Sequence, residues 1–377
     1  MGSAAESGPH QELMALAIEE AEKGLGRTSP NPLVGSVIVR DGEVVSKGYH
    51  RGPGELHAEV AALEKLDPEV AKGSDLYVNL EPCCHHGRTP PCTDAILEAG
   101  VSRVFIGIED PNPRVSGEGI EQLRAAGVDV IVGVLEEESY RLNRAYVTYM
   151  NKGRPWVGVK WAMSLDGKIA TRSGDSQWIT DDAARREVHR LRDLYDAITV
   201  GTGTLREDNP RLTSRIEGGR DPTRVLLDAR LDAPLDLGAY SGDDEDPPTW
   251  VFTGPGADPE ARGVLLERGL QVIETDVGDE GRIDLPTMLG ALADRGIVRL
   301  MVEGGGELTG SLFDERIVDH VHAFVSPKVI GGREAVPAVG GVGVETVAES
   351  ARLVDRRIRT VDNDVLIEGD VAYGTEE

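Results

Sequence analysis

The sequence predicts a two-domain α/β chain, an α/β/α sandwich followed by a second α/β domain. Three observations predict it. The chain has 377 residues, enough for two sizeable cores. Short apolar runs alternate with segments of helical period through both halves, the pattern of strands covered by helices. A long helical segment also ends at Arg154-Pro155, and a new apolar run, WVGVKWAMS, starts at once. The boundary is therefore placed near residue 152. Residues 1–10 form a floppy tail, 11–151 the first domain and 152–377 the second.

The elements of the first half follow in order. QELMALAIEEAEKG has apolar residues at helical spacing and a glycine stop, giving a helix from Gln11 to Gly24. GRTSPNP cannot be helical, because a residue before proline is pushed out of the helical region. LVGSVIVR, then Asp41-Gly42, then EVVSKGYH reads as a hairpin with an Asp-Gly turn. HAEVAALEKL is a helix, LYVNL (Leu76 to Leu80) a buried strand, and AILEAG a helix with Cys92 at its start. VFIGI, GIEQLRAAG and VIVGV add strand, helix and strand. EEESYRLNRAYVTYMNKG is the helix that leads out of the domain.

Chemistry concentrates between His57 and Cys92. Cys83, Cys84 and Cys92 are the chain's only cysteines. An odd set clustered this closely is no disulfide framework. With His57-x-Glu59 upstream it reads as a zinc site of His57, Cys83 and Cys92. A catalytic zinc takes three protein ligands and leaves one position open. Glu59 lies beside the metal without needing to bind it. It can move a proton from water to a departing amine, the logic of the zinc nucleobase deaminases. A structural zinc knuckle needs a fourth protein ligand, and Cys84, His85 or His86 could supply one. His85 is read as a pocket residue, His86 as solvated and Cys84 as a buried small residue. Ligands of α/β folds bind at the carboxyl ends of strands. Asp110 and Asn112 follow VFIGI, at the same edge as Cys83. Asn31, His50 and Arg88 are further pocket candidates, although Asn31 and Asn112 precede prolines and could simply cap turns.

The second half alternates again. WVGVKWAM is a strand, DDAARREVHRLRDLYD a helix and AITVG a strand. GTGTLREDNPRLTSR is a polar loop. RVLLDA, WVFTG and LQVIETD are strands. VRLMVEGG is a strand running into Gly304-Gly305-Gly306 and the helix ELTGSLFDE, a cradle for phosphate or a plain tight turn. It is not a GxGxxG fingerprint, so a Rossmann domain is not supported. VHAFVSPKVI and DVLIEGDV complete the strands.

Composition narrows the partners. There are 66 acidic against 40 basic residues, for a formal charge of −26. Phosphate backbones need a basic face, so no nucleic-acid partner is expected. No apolar run is long enough to span a bilayer, and MGSAAESGPH lacks the apolar region of a signal peptide. Free cysteines fit a reducing cytoplasm. The chain is expected to act there as a homo-oligomer without a membrane partner.

Several motifs together resemble a known family. SPNP-x-VG, G-x-H, HAE, PC-x-H-x-GRTPPC and DPNP resemble, in order, the deaminase of riboflavin biosynthesis. Its long insert explains why Cys83 and Cys92 lie farther apart than in Pro-Cys-x-x-Cys. KWAMSLDGKIA, SGDSQWIT, LRDLYDAITVGTGTLREDNPRLTSR and VEGGGEL resemble the reductase half of the bifunctional enzyme. The resemblance implies a cytidine-deaminase-like sandwich and a dihydrofolate-reductase-like domain. It implies zinc-dependent deamination of a pyrimidine ribotide, then NADPH-dependent reduction of its ribosyl chain. Asn31, His50, His85, Arg88, Asp110 and Asn112 would hold the first substrate, with Glu59 catalytic. Lys160 and Glu303 would face the second substrate, and Ser176, Arg192, Leu212 and Arg215 its phosphoribosyl end. Ala162, Trp178, Thr204, Asp208 and the loop Gly305, Gly306, Glu307, Leu308 would hold NADPH. By composition alone Trp178 could be core packing instead. Ala229 stands where relatives often carry serine beside the nucleotide, so NADPH over NADH is inherited from the family. A single-activity pyrimidine deaminase, whose second half only binds a nucleotide or mediates assembly, is the alternative. A non-catalytic zinc-stabilised scaffold is a third reading.

Overall fold

The structure is a computed structural model, and it describes residues 8–86, 90–241, 247–278 and 280–374. It divides into two compact units, 1–154 and 155–377.

In the first unit the elements are α1 (Gly8–Glu22), β1 (Gly35–Arg40), β2 (Glu43–Tyr49), α2 (Ala58–Leu63), α3 (Pro68–Ala71) and β3 (Asp75–Leu80). Then come α4 (Cys92–Glu98), β4 (Arg103–Ile108), α5 (Glu118–Ala125), β5 (Asp129–Val132) and α6 (Glu136–Lys152). The sheet order is β2-β1-β3-β4-β5. β1 is antiparallel to β2 and β3, while β3, β4 and β5 run parallel. Successive strand residues face opposite sides, so each strand feeds two cores. Leu76, Val78, Val104 and Ile106 pack with Ala62, Ile96 and Leu123 of α2, α4 and α5. Val37, Val39, Tyr77 and Phe105 pack with Met14 and Ala17 of α1. This is an α/β/α sandwich. Gly35 is required where α1 crosses β1, since a Cβ there would sit 2.1 Å from the Ala17 carbonyl oxygen.

Helix α1 begins earlier than the expected Gln11 and includes Gly8 to His10. The reason is a contact far along the chain. His10 stacks on Phe105 at 4.3 Å between centroids, and its Nδ1 lies 2.7 Å from the Tyr77 hydroxyl. The remainder of the expected tail, residues 1–7, falls outside the described residues.

In the second unit the strands are β6 (Trp156–Ser164), β7 (Lys168–Ala170), β8 (Ala197–Gly201), β9 (Thr223–Leu227), β10 (Thr249–Thr253) and β11 (Gln271–Glu274). They continue with β12 (Arg299–Val302), β13 (His320–Ser326), β14 (Val336–Pro337), β15 (Arg352–Val361) and β16 (Asp364–Ala372). The helices are α7 (Asp182–Leu194), α8 (Thr202–Asp208), α9 (Pro259–Glu267), α10 (Leu285–Ala293) and α11 (Gly306–Asp314). The main sheet runs β11-β10-β9-β8-β12-β6-β13-β16-β15. β11 through β13 are mutually parallel, and β16 is antiparallel to both of its neighbours. Val157, Val159, Leu300, Val302, Phe252, Leu289 and Leu312 lie in one apolar core.

Helices α3, α9 and α10 and the short strands β7 and β14 have no counterpart among the expected elements, and two further elements differ from expectation. The stretch read as a polar loop opens with α8, whose one buried residue is Leu205. Strand β15 was not expected, because RLVDRRIRTV is polar and mostly exposed. It is an edge strand held by its hairpin with β16.

Candidate active sites

In the first unit, three side chains meet at the carboxyl end of β3. His57 caps α2, Cys92 opens α4, and Cys83 follows the strand. His57 Nδ1 lies 3.1 Å from Cys92 Sγ and 3.4 Å from Cys83 Sγ. The ligand atoms of all three fall within 4.8 Å of one another. Two thiols and an imidazole are a zinc donor set, so the residues present fit that metal. A hydrogen bond from Cys92 holds the Cys83 thiol well below the ordinary thiol range despite its burial, while the same bond pushes Cys92 up. Cys84 is not in this group. Its Sγ lies 3.9 Å from Glu118 Oε2 and from the Arg114 carbonyl oxygen, and it is half-buried rather than buried.

Glu59 sits in the first turn of α2, two residues after His57, and is 3% exposed. Burial, reinforced by the nearby Cys83 charge, pushes its carboxyl up to about 7. Around it, His50 donates from Nδ1 to the Leu56 carbonyl at 3.1 Å, which leaves Nε2 to accept from Asn31 Nδ2 at 2.9 Å. Burial lowers the His50 pKa, which favours this neutral form. Asp110 accepts from the Asn112 amide at 2.8 Å and the Tyr146 hydroxyl at 3.2 Å. Burial pushes Asp110 up to about 6. The His85 Nδ1 is buried and has no hydrogen-bond partner among the described residues. Arg88 lies outside the described residues.

Sequence reasoning missed the supports of this site. Glu81, 3% exposed, accepts from the backbone amides of Asp110, Gly117, Gly119 and Ile120 at 3.0–3.2 Å. It joins the end of β3 to the Asp110 loop and to the start of α5. Asn79 and Asn143 both donate to the Leu33 carbonyl at 2.9 Å, and Asn143 accepts from the Leu33 amide at 2.8 Å. They fix the backbone that presents Asn31. A polar residue inside an apolar strand such as LYVNL was the available signal.

In the second unit, Glu303 ends β12 and is clasped by two cations. Arg192 Nε and Nη2 meet its two oxygens at 2.7 and 2.9 Å, and Lys160 Nζ lies 3.5 Å away. Burial pushes this carboxyl up, but Arg192 and Lys160 overcome it and hold it at about 2. Beside this triad opens a cleft of about 1240 Å³. Thr204, Asp208, Gly305, Glu307, Leu308, Ser176 and Ala229 line it. Gly306 is buried at the start of α11, where a Cβ would come 2.5 Å from the Pro337 carbonyl oxygen. The Gly305 amide donates to Thr204 Oγ1 at 3.1 Å. A wide cleft with backbone amides at a helix start fits a dinucleotide phosphate.

Other expected residues do not line the cleft. Ala162 lies on β6, Leu212 is buried, and Arg215 is exposed with Nε 3.3 Å from Thr213 Oγ1. Trp178 is 62% exposed, which removes the core-packing reading. The Arg185 guanidinium lies over its ring at 4.3 Å.

Comparison with known proteins agrees with both units. Residues 7–108 match the cytidine and deoxycytidylate deaminase zinc-binding region, and 155–367 match the RibD C-terminal domain. The riboflavin biosynthesis protein RibD of Bacillus amyloliquefaciens is 41% identical over 93% of this chain and 94% of its own. The Escherichia coli (strain K12) RibD is 38% identical over 94% and 97%. The deaminase/reductase of Thermotoga maritima superposes with a TM-score of 0.83 at 38% identity, covering 97% of this chain and 99% of that one. Acinetobacter baumannii RibD gives 0.85 at 33% over the same shares. Both regions being present, the single-activity alternative is not favoured. The chain therefore belongs to the RibD family of riboflavin biosynthesis proteins, and it joins a deaminase zinc-binding region to a RibD C-terminal domain in one polypeptide.

Proposed function

We propose that this chain deaminates 2,5-diamino-6-(5-phosphoribosylamino)pyrimidin-4-one and then reduces the ribosyl chain of the uracil product to ribityl. The carrying observation is Glu59, a carboxyl buried against the trio of His57, Cys83 and Cys92. Zinc held by that trio supplies a Lewis acid that makes water acidic near neutral pH. Glu59, pushed up to about 7, can hold and release a proton under those conditions. It takes the proton from the attacking water and returns it to the departing amine. Asn31, His50, His85, Arg88, Asp110 and Asn112 orient the ribotide.

In the second unit Glu303 stays an anion, so it anchors Lys160 and Arg192 rather than giving up a proton. Arg192, Arg215, Ser176 and Leu212 would surround the phosphoribosyl end, and Lys160 the reacting carbon. Thr204, Asp208, Gly305, Gly306, Glu307 and Leu308 would hold NADPH, which would supply the hydride; Ala162 and Trp178, expected to join them, lie outside the lining of the cleft. Asp208 is a proton donor candidate because it lines the cleft.

The residue ranges 11–151 and 152–377 are the proposed catalytic halves. The enzyme is proposed to work in the cytoplasm as a homo-oligomer; no described helix is long and apolar enough to cross a membrane. The edge strand β15, which exposes Val354 and Ile358, supports self-association. The test supplies the purified chain with the diaminopyrimidinone ribotide. Ammonia release must precede NADPH oxidation, and Glu59→Gln must stop the first while leaving the second intact on the deaminated intermediate.

A further inference from the structure

Next to Lys160, the β6 strand partner of His322, the sheet of the second unit carries a rectangle of four ligand-type side chains. His320 and His322 lie two residues apart on β13, so they share one face. Their cross-strand partners on β16 are Asp370 and Glu368. His320 Nδ1 donates to Asp370 Oδ1 at 2.6 Å, and His322 Nδ1 to Glu368 Oε1 at 2.8 Å. The two imidazole centroids are 4.6 Å apart. Ligand atoms from His320, His322 and Glu368 all fall within 4.8 Å of one another, and both histidines are buried. We propose that His320, His322 and Glu368 form a second zinc site that pins β13 to β16, with Asp370 holding His320 in place.

The surroundings match what a bound zinc needs. Ligating imidazoles hold their second nitrogen on an oxygen, and ligating carboxylates are hydrogen-bonded in turn. The Tyr195 hydroxyl lies 2.9 Å from His322 Nε2, and Arg359 Nε lies 3.5 Å from Glu368 Oε2. Gly158, the β6 neighbour of His320, leaves room for that tyrosine, because a Cβ there would sit 2.1 Å from its hydroxyl oxygen. Zinc bonds of about 2.0–2.2 Å in a tetrahedron put ligand atoms roughly 3.3–3.6 Å apart. The His322–Glu368 pair at 2.8 Å therefore opens by roughly 0.5–0.8 Å as the cation replaces the shared proton. Asp370 stays on His320 from outside the donor set. Two imidazoles and one carboxylate form a donor set without thiolate, which distinguishes this site from the trio of the first unit.

Elemental analysis of the zinc-loaded, gel-filtered full chain tests the proposal. Two zinc ions per chain are expected, with one remaining in Cys83→Ser/Cys92→Ser. One ion in the parent and none in that variant overturns the proposal. Cobalt(II) added to the cysteine variant should give intense tetrahedral d–d bands with no sulfur charge-transfer absorption. The pale spectrum of the free aqueous ion overturns it as well. Tyr195→Phe keeps the ring and removes the hydroxyl that lies against His322 Nε2. It should weaken zinc binding by the cysteine variant by roughly 10–100-fold. An unchanged affinity means that His322 is not a ligand.

Discussion

Replacing Glu303 by glutamine tests the electrostatic core of the second unit. Its carboxylate is 8% exposed, Arg192 is 12% exposed and Lys160 is 15% exposed. Glutamine keeps the shape but takes from two buried cations the carboxylate that touches both, leaving only the more distant charges of Asp221 and Asp208. Breaking a buried pair from one side costs about 3–5 kcal/mol. The carboxyl's fall from 4.5 to about 2 gives an independent figure. At about 1.4 kcal/mol per pKa unit, it amounts to about 3 kcal/mol. The sign follows from the depressed value. The stabilisation is present above pH 4.5 and is lost as pH falls towards about 2. The gap between parent and variant should therefore narrow by about 2 kcal/mol between pH 5 and pH 3. The assay is urea unfolding followed by tryptophan fluorescence. All four tryptophans, Trp156, Trp161, Trp178 and Trp250, lie in the second unit, so the signal reads that unit alone. A variant within about 0.5 kcal/mol of the parent at pH 7, or a gap that stays constant down to pH 3, refutes the reasoning.

Other expectations follow from the same geometry. Glu59→Gln should lower deamination by about 10²–10⁴ with zinc content unchanged, measured by ammonia release and elemental analysis. Cys92→Ser should remove zinc from the first unit, since the metal there has three protein ligands, and abolish deamination. Glu81→Gln replaces one of two acceptor oxygens, each of which serves two backbone amides, so the Asp110 loop should loosen. The deaminase KM should rise while reductase kinetics hold, which separates a local effect from general misfolding. Gly306→Ala should cost about 1–3 kcal/mol and weaken NADPH binding by calorimetry, because its Cβ meets the Pro337 carbonyl oxygen at 2.5 Å.

Much of this was legible in the residues because its signals are local. The Asp41-Gly42 hairpin, the strand before Cys83 and the helix starts at His57 and Cys92 rest on neighbours a few positions away. What was not legible depends on distant partners. Strand β15 has no apolar alternation and exists through its pairing with β16. Helix α8 hides behind Thr-Gly and Asp-Asn-Pro, which read as turn chemistry. Glu81 and Asn143 look like ordinary polar residues until the fold brings Gly119 and Leu33 to them. The early start of α1 likewise needs Tyr77 and Phe105 to hold His10.

The grip of Asn143 on Leu33 spans 110 residues. It makes the last helix of the first unit a working part of the pocket wall rather than a mere exit. A fragment cut after residue 108, where the deaminase match ends, would keep His57, Cys83 and Cys92 yet forfeit this clamp. Such a miniature should still take up metal but seat its ribotide poorly. Anyone trimming the protein for engineering should cut after Lys152, not before.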